Sequence, residues 1–237
     1  MSDLLKLLRE VGGVIDNSHV VYTSSRHGYA YVNWVAVLND AKAARATSRV
    51  LARRLTDLDF GVIAGPTHTG DKLATALADA FLDLGRAVVP VYCQEKTEKR
   101  IIPVNGELRE VKIVLDGRDF PRGQAKKVQG KQVLVVDDVL TTGGTIRETL
   151  AAVREAGGLP VWVAVFCNRS DISGEFDGLP LTELLNVPME VWDPEECQAC
   201  MEQVPMNTTV GHGGWFLREY GEDPDGWPAN EGKRSRQ

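Results

Sequence analysis

Apolar positions along this chain follow first a helical and then a strand-like period, and the change of period organises it. Residues 3–11 (DLLKLLREV) place leucines at helical spacing and predict a short amphipathic helix. Residues 19–23 and 29–33 then read as two strand-like pieces around the polar turn 24–28, as in a hairpin. Residues 40–56 set Ala, Val and Leu on one face and several arginines on the other, a clear helix. From Phe60 the rhythm becomes strand (60–64), loop (65–70), helix (71–85), strand (87–92), and later strand (133–136), helix (146–156), strand (160–167). Strand and helix alternating in this way predict an α/β fold, a central parallel sheet with helices on both faces. Ligands of such sheets bind beyond the carboxyl ends of the strands, so loops 65–70 and 141–145 are expected together on one edge.

Between the second and third strands lies a long polar insertion, residues 93–132. Within it 109–115 alternates like a strand, and Asn105-Gly106 is a hairpin turn signal. Insertions of this length are usually functional lids or disordered segments. After Pro180, residues 181–185 predict a helix turn; beyond Asp193 the chain is irregular, and 221–237 is expected to be a flexible tail. The resulting division is an N-terminal helix and hairpin (1–35), a core (36–180), a C-terminal extension (181–220) and the tail.

Composition changes this picture little. Of 237 residues, 43% are hydrophobic and 25% charged, ordinary for a soluble globular protein, and the length suits one sizeable domain with additions or at most two small ones. The net charge of −6 gives no electrostatic case for gripping a nucleic-acid backbone. No apolar run reaches transmembrane length and no signal-peptide layout opens the chain. Four cysteines, Cys93, Cys167, Cys197 and Cys200, are too few and too uneven for a secreted disulfide framework. A cytoplasmic enzyme is the expectation.

The chemistry concentrates in residues 133–145 (VLVVDDVLTTGGT). Four apolar residues end in Asp137 and Asp138, followed by Thr141, Thr142, Gly143, Gly144 and Thr145 and then an amphipathic run from Ile146. This is a buried strand, an acidic strand end, a tight turn and a helix N-terminus. Backbone N–H groups and hydroxyls of the turn suit a phosphate at the positive helix end. The two carboxylates suit vicinal ribose hydroxyls and can help place a cation bound to the ligand. The plainer reading is an ordinary strand-to-helix turn with a solvated acid pair. A second loop, Gly65-Pro66-Thr67-His68-Thr69-Gly70, also follows a strand and precedes a helix, a weak anion-site signal by itself.

Residues 133–145 resemble the signature of type I phosphoribosyltransferases along their whole length. The resemblance implies that Asp137 and Asp138 hold the ribose of phosphoribosyl pyrophosphate and that Thr141 to Thr145 wrap its 5-phosphate. It also implies that Thr67, His68, Thr69 and Gly70 contact the pyrophosphate, with Mg2+ bound through the substrate. The Gly-Pro loop followed by Leu73-Ala74 looks like the orotate branch. So does the segment from Ser24 to Asn33, similar to the one that forms part of a hood over the base; this places Ser25 and Arg26 near the base. The family's lysine falls here on Thr23 and its glycine on Ser25. Arg169, after Asn168, matches an Asp-Arg pair whose arginine binds the base, and a guanidinium can clamp a carboxylate or imide edge bidentately. Lys96, Lys99 and Arg100 resemble, loosely, the family's mobile catalytic loop, whose cations meet the charge gained by the leaving pyrophosphate; a charged segment is also commonly a solvated face. A homodimer is implied as well.

Cys197-Gln198-Ala199-Cys200 is a lone Cys-x-x-Cys. Zinc needs four ligands, and the additional candidates in the sequence are His212 and a remote Cys93 or Cys167; two free thiols are the alternative. The expected function is transfer of a phosphoribosyl group to a nitrogenous base, with orotate first and a purine or other base second. A non-catalytic sensor of phosphoribosyl pyrophosphate is the competitor from another class.

Overall fold

The computed structural model describes residues 2–104, 107–187 and 190–220. The turn signal at 105–106 and the segment 221–237 lie outside the described residues. The N-terminal elements are helix α1 (Ser2–Glu10), the two-residue strands β1 (Val14–Ile15), β2 (Val20–Val21), β3 (His27–Gly28) and β4 (Tyr31–Val32), and helix α2 (Trp34–Asn39). The central elements are α3 (Ala41–Arg54), β5 (Val62–Pro66), α4 (Gly70–Asp83), β6 (Val89–Val104), β7 (Glu107–Asp119), α5 (Ala125–Val128), β8 (Gln132–Leu140), α6 (Gly144–Glu155), β9 (Leu159–Asn168), β10 (Glu175–Phe176) and β11 (Leu179–Asn186). A 3-10 turn (Pro194–Glu196), α7 (Gln198–Met201) and α8 (Gly213–Tyr220) follow. The chain forms two compact units. One is residues 41–187; the other combines residues up to Asp40 with the described residues from 190 onward.

In the central unit a seven-stranded sheet has the order β10-β11-β9-β8-β5-β6-β7. The five strands from β11 to β6 run parallel, and β10 and β7 add antiparallel edges. The apolar runs of β5, β8 and the second half of β9 are buried on both faces, as a parallel sheet requires, whereas Ala87 and Val89 in the strand predicted at 87–92 are exposed. Val62, Ala64, Val133, Val135, Val163 and Val165 pack with Ile146, Leu150 and Val153 of α6. The alternate set Ile63, Leu134, Val136 and Ala164 is equally inaccessible on the opposite face. At roughly 1.5–3 kcal/mol for each fully buried side chain, these residues fix the register of β8 and so the position of the acids in its C-terminal half.

Three local expectations change. The pieces 19–23 and 29–33 do not pair with each other: Val20 and Val21 pair with Gly28 and His27, closing a tighter hairpin, while Tyr31 and Val32 pair with Ile15 and Val14. The Asn33 side chain accepts a hydrogen bond from the Ala36 N–H, which starts α2 directly after β4. Residues 181–185 are not a helix turn but the middle of β11, paired in parallel with β9 from Leu181↔Val163 to Asn186↔Asn168. Leucine favours a helix locally, but the open edge of β9 offers a whole ladder of backbone hydrogen bonds, and tertiary pairing overrides the weak propensity. The insertion 93–132, finally, is neither structureless nor separate from the sheet. β6 continues to Val104 and pairs with β7 as a long antiparallel arm, most of β7 being exposed.

Candidate active site

In the parallel sheet the chain passes from β5 to β6 on one side and then returns to β8 on the other. The reversal of direction makes β5 and β8 the topological switch point, where an open α/β sheet has its crevice. The two loops singled out in the sequence follow these two strands, as expected.

The acids expected at a strand end lie instead within the C-terminal half of β8, which stays paired with β9 through Leu140; Asp137 is 6% exposed, and its Oδ1 accepts the Asp138 N–H at 2.9 Å. Asp138 Oδ1 accepts the Val139 N–H at 2.8 Å, and the Thr69 side chain of the other loop lowers its pKa against the effect of burial. Burial, then the neighbouring Asp138 charge, push Asp137 up to about 8. Burial likewise raises Asp138. Two desolvated carboxylates side by side repel each other. Hydroxyl donors and a cation from a ligand would relieve both costs, and on that ground the donor set fits a ligand-bound divalent ion.

Gly143 has φ 77° and ψ 14°, a left-handed conformation at the N-cap of α6. A Cβ there would lie 2.2 Å from the Phe176 ring. Glycine is therefore required twice, for conformation and for space. No side chain caps α6, and Thr141 and Thr142 are exposed beside its first turn. In the other loop a Cβ on Gly65 would lie 2.0 Å from the Gly70 carbonyl oxygen, so only glycine lets the loop close onto the start of α4. The Thr67 N–H donates to the Cys93 carbonyl at 2.8 Å, and the Thr67–His68 peptide is cis. No side chain caps α4 either. Two helix N-termini and two acids thus meet at one switch point, an arrangement suited to an anionic sugar phosphate.

Arg118, on β7, is a site residue the sequence reading missed. It is 8% exposed, its Nη1 donates to the Thr67 carbonyl at 3.5 Å, and its Nε is 3.2 Å from Glu148. Its charge acts on both Asp137 and Cys93. A buried guanidinium against the loop 65–70 is placed to meet an anion there. The strand-like alternation of 109–115 was the available signal; carried three residues further, it reaches Arg118.

The cations proposed from the sequence lie elsewhere on the arm. Lys96 Nζ is 2.8 Å from Glu155, Lys99 Nζ is 2.6 Å from Glu110, and Arg100 Nε is 2.9 Å from Glu98. Each is engaged by a carboxylate outside the two loops. Arg169 is half-buried just past the end of β9, its N–H bonded to the Leu140 carbonyl at 2.9 Å. Asn168 shapes the turn after it: its amide donates to the Ile172 carbonyl at 2.6 Å and its oxygen accepts the Ser170 hydroxyl at 2.7 Å. The side chain that stands in place of the family's acid thus organises the backbone carrying Arg169.

Ser25 and Arg26 belong to the other unit. Ser25 has φ 62°, the left-handed region, at the position where the related family carries glycine. Arg26 donates from Nη2 to the Val191 carbonyl at 2.9 Å, and its Nε is 3.2 Å from Asp193. The cysteines separate in the same way. Cys93 and Cys167 are in the sheet of the central unit, where burial pushes their thiols up to about 11 and about 12. Neither accompanies Cys197 and Cys200, and His212 is exposed. The residues that do accompany them are His19 and His27.

A family model described as the phosphoribosyl transferase domain matches residues 37–176. The orotate phosphoribosyltransferase of Caldicellulosiruptor bescii is 29% identical over 203 residues, covering 85% of this chain and 93% of that protein. The orotate phosphoribosyltransferase of Carboxydothermus hydrogenoformans is 30% identical over 206 residues, 86% of this chain and 94% of its own. Among solved structures, a phosphoribosyltransferase from Corynebacterium diphtheriae superposes with a TM-score of 0.55 at 26% identity, over 78% of this chain and 94% of that one.

Proposed function

Since the chain belongs to the phosphoribosyl transferase domain family and is a phosphoribosyltransferase, we propose that it transfers the 5-phosphoribosyl group of phosphoribosyl pyrophosphate to a ring nitrogen of orotate, releasing pyrophosphate. The observation that carries this reading is the meeting of the Asp137–Asp138 pair with two uncapped helix N-termini at the sheet's switch point. Asp137 and Asp138 accept the ribose hydroxyls, Thr141 to Thr145 surround the 5-phosphate, and Thr67 to Gly70 receive the pyrophosphate. Arg118 adds a cation beside Thr67, where charge accumulates as the C1–O bond breaks. Asp137 and Asp138 would help hold a Mg2+ ion brought in by the substrate, and such an ion would supply further positive charge to the leaving pyrophosphate. With bond breaking ahead of bond making, the protein's task is to position the base under C1 and to stabilise separated charge. The reading extends to a homodimer in the cytoplasm; among the described residues no helix is long and apolar enough to cross a membrane.

Orotate is favoured by the names of the curated relatives and by Arg169, whose guanidinium suits a carboxylate-bearing base. Thr23, standing where the related family has lysine, favours a different base as the second reading. The test is turnover of radiolabelled phosphoribosyl pyrophosphate with Mg2+ against a panel of pyrimidine and purine bases. Orotate should give the highest kcat/KM. Turnover of another base alone would move the assignment to that base. Tight binding of the sugar phosphate with no turnover of any base would indicate a sensor instead.

The pH dependence of substrate binding follows from Asp137. Its folded-state value of about 8 lies above the unfolded value near 3.9. The folded protein therefore binds the proton more tightly than the unfolded chain. That contribution to stability is complete below about pH 4 and is lost as pH rises towards about 8. Ribose hydroxyls donate to the ionised acid, so binding releases this proton. Affinity for phosphoribosyl pyrophosphate should rise with pH up to about 8 and then level. Calorimetric titration in buffers of different ionisation enthalpy should show proton release at pH 7 that Asp137→Asn removes; equal proton uptake in both proteins would contradict it.

A further inference from the structure

The second unit holds a group of side chains that the transferase reaction does not use. His19, His27, Cys197 and Cys200 are 1%, 0%, 0% and 6% exposed, and one ligand atom from each lies within 4.8 Å of all the others. His19 Nε2 is 3.0 Å from His27 Nδ1, 3.6 Å from Cys197 Sγ and 3.5 Å from Cys200 Sγ; His27 Nδ1 is 3.1 Å from Cys200 Sγ. A tetrahedral zinc with ordinary Zn–N and Zn–S distances has ligand–ligand edges of about 3.3 Å between nitrogens and about 3.5 Å between nitrogen and sulfur. The observed separations are close to those edges.

The protonation of His19 points the same way. Its Nδ1 is 2.8 Å from the Val204 carbonyl oxygen, which can only accept, so Nδ1 carries the hydrogen. In the neutral ring Nε2 then carries the lone pair, and it faces His27 Nδ1 and the two sulfurs. A backbone carbonyl holding the far nitrogen of a metal-binding imidazole is the usual outer-shell arrangement. The Cys-x-x-Cys spans one tight turn, with the Cys200 N–H donating to the Cys197 carbonyl at 3.1 Å. That turn puts both sulfurs on one side. The histidines sit at the two ends of the β2–β3 hairpin, and the C-terminal segment reaches both by backbone pairing: Asn207 N–H to His19 carbonyl at 2.7 Å, and His27 N–H to Trp192 carbonyl at 2.8 Å.

We propose that His19, His27, Cys197 and Cys200 form a structural zinc site that clasps the C-terminal segment to the N-terminal hairpin. The two-sulfur, two-imidazole set with all four positions filled by protein is that of a structural rather than a catalytic zinc, and it selects zinc over oxygen-seeking cations. The need for such a clasp is physical. Among the described residues, the apolar cluster around these side chains has five buried members, Val21, Cys197, Ala199, Cys200 and Phe216, and two of these are the proposed ligands. A cluster this small gains stability from a metal or disulfide staple. A Cys197–Cys200 disulfide would engage two of these four groups; a cation engages all four.

The experiment is the metal content of the untagged full-length protein from zinc-supplemented cells, by plasma mass spectrometry. One zinc per chain is expected. After exchange, Co2+ should give the strong visible bands of a tetrahedral site together with thiolate-to-cobalt charge transfer. Cys197→Ser and His27→Gln should lose the metal, whereas His212→Gln, at the exposed histidine, should keep it. Chelation should lower the melting temperature of the wild-type protein. Wild-type protein that lacks zinc and takes up no Co2+, or that carries a Cys197–Cys200 disulfide by mass spectrometry, would overturn the proposal. So would full zinc retention in both ligand variants. The wild-type measurements decide even if a variant fails to fold.

Discussion

Asp138→Asn should bind phosphoribosyl pyrophosphate about 30- to 150-fold more weakly while folding at least as stably as the wild type. The side chains are the same size, and the amide oxygen can still accept the Val139 N–H that Asp138 Oδ1 holds at 2.8 Å. What disappears is one charge of a buried pair. In the protein without substrate that charge is a cost, since burial raises Asp138 and its charge in turn raises Asp137. Removing it lowers Asp137 and relieves the repulsion, so the melting temperature should hold or rise. With substrate the charge is an asset, because hydrogen bonds to an ionised acceptor contribute roughly 1.5–3 kcal/mol each. Losing about 2–3 kcal/mol of these gives the expected loss of affinity. Stability and binding thus move in opposite directions, as at sites that keep unfavourable charge for function. Titration calorimetry with the substrate and a thermal melt read the two halves separately. Unchanged affinity would remove Asp138 from the site.

Gly143→Ala should destabilise the central unit by about 2–4 kcal/mol. The left-handed backbone at φ 77° costs an alanine roughly 1 kcal/mol. The new Cβ would also stand 2.2 Å from Phe176 Cζ and 3.2 Å from Leu140 Cδ1. Phe176 is 2% exposed, so its ring cannot swing into solvent without leaving the core. Overpacking of that kind costs about 1–3 kcal/mol more. For a unit of this size the melting temperature should fall by roughly 5–12 °C. If the turn yields instead, the N–H groups at the start of α6 lose their common direction and phosphate affinity falls as well. The adjacent Gly144→Ala is the control. Only Thr142 Oγ1, at 4.0 Å, is near its Cβ position, and its φ is not left-handed. It should leave the melt unchanged. Equal melts for the two variants would show that the Phe176 contact does not restrict the turn.

Residues 133–145 carried most of what could be read from the chain, because the strand, the acids, the turn and the helix start are consecutive. A phosphate cradle made by one strand–turn–helix unit is local, and local geometry is written in adjacent residue types. The parallel sheet was legible for a related reason: strands buried on both faces must be apolar throughout. Residues 181–185 read as a helix turn in the sequence because leucine favours a helix in isolation, and only the neighbouring edge of β9 makes them part of a strand.

By itself, then, the sequence determined the α/β sheet, the edge on which the two glycine-bearing loops meet, and the adjacency of the acid pair to the turn before α6. Tertiary structure alone decided that Arg118 reaches Thr67 across 51 positions, that Lys96 meets Glu155 across 59, and that Cys197 meets His19 across 178. Contacts between side chains so far apart leave no periodicity along the chain, because they depend on how whole elements pack rather than on the order of neighbouring residues.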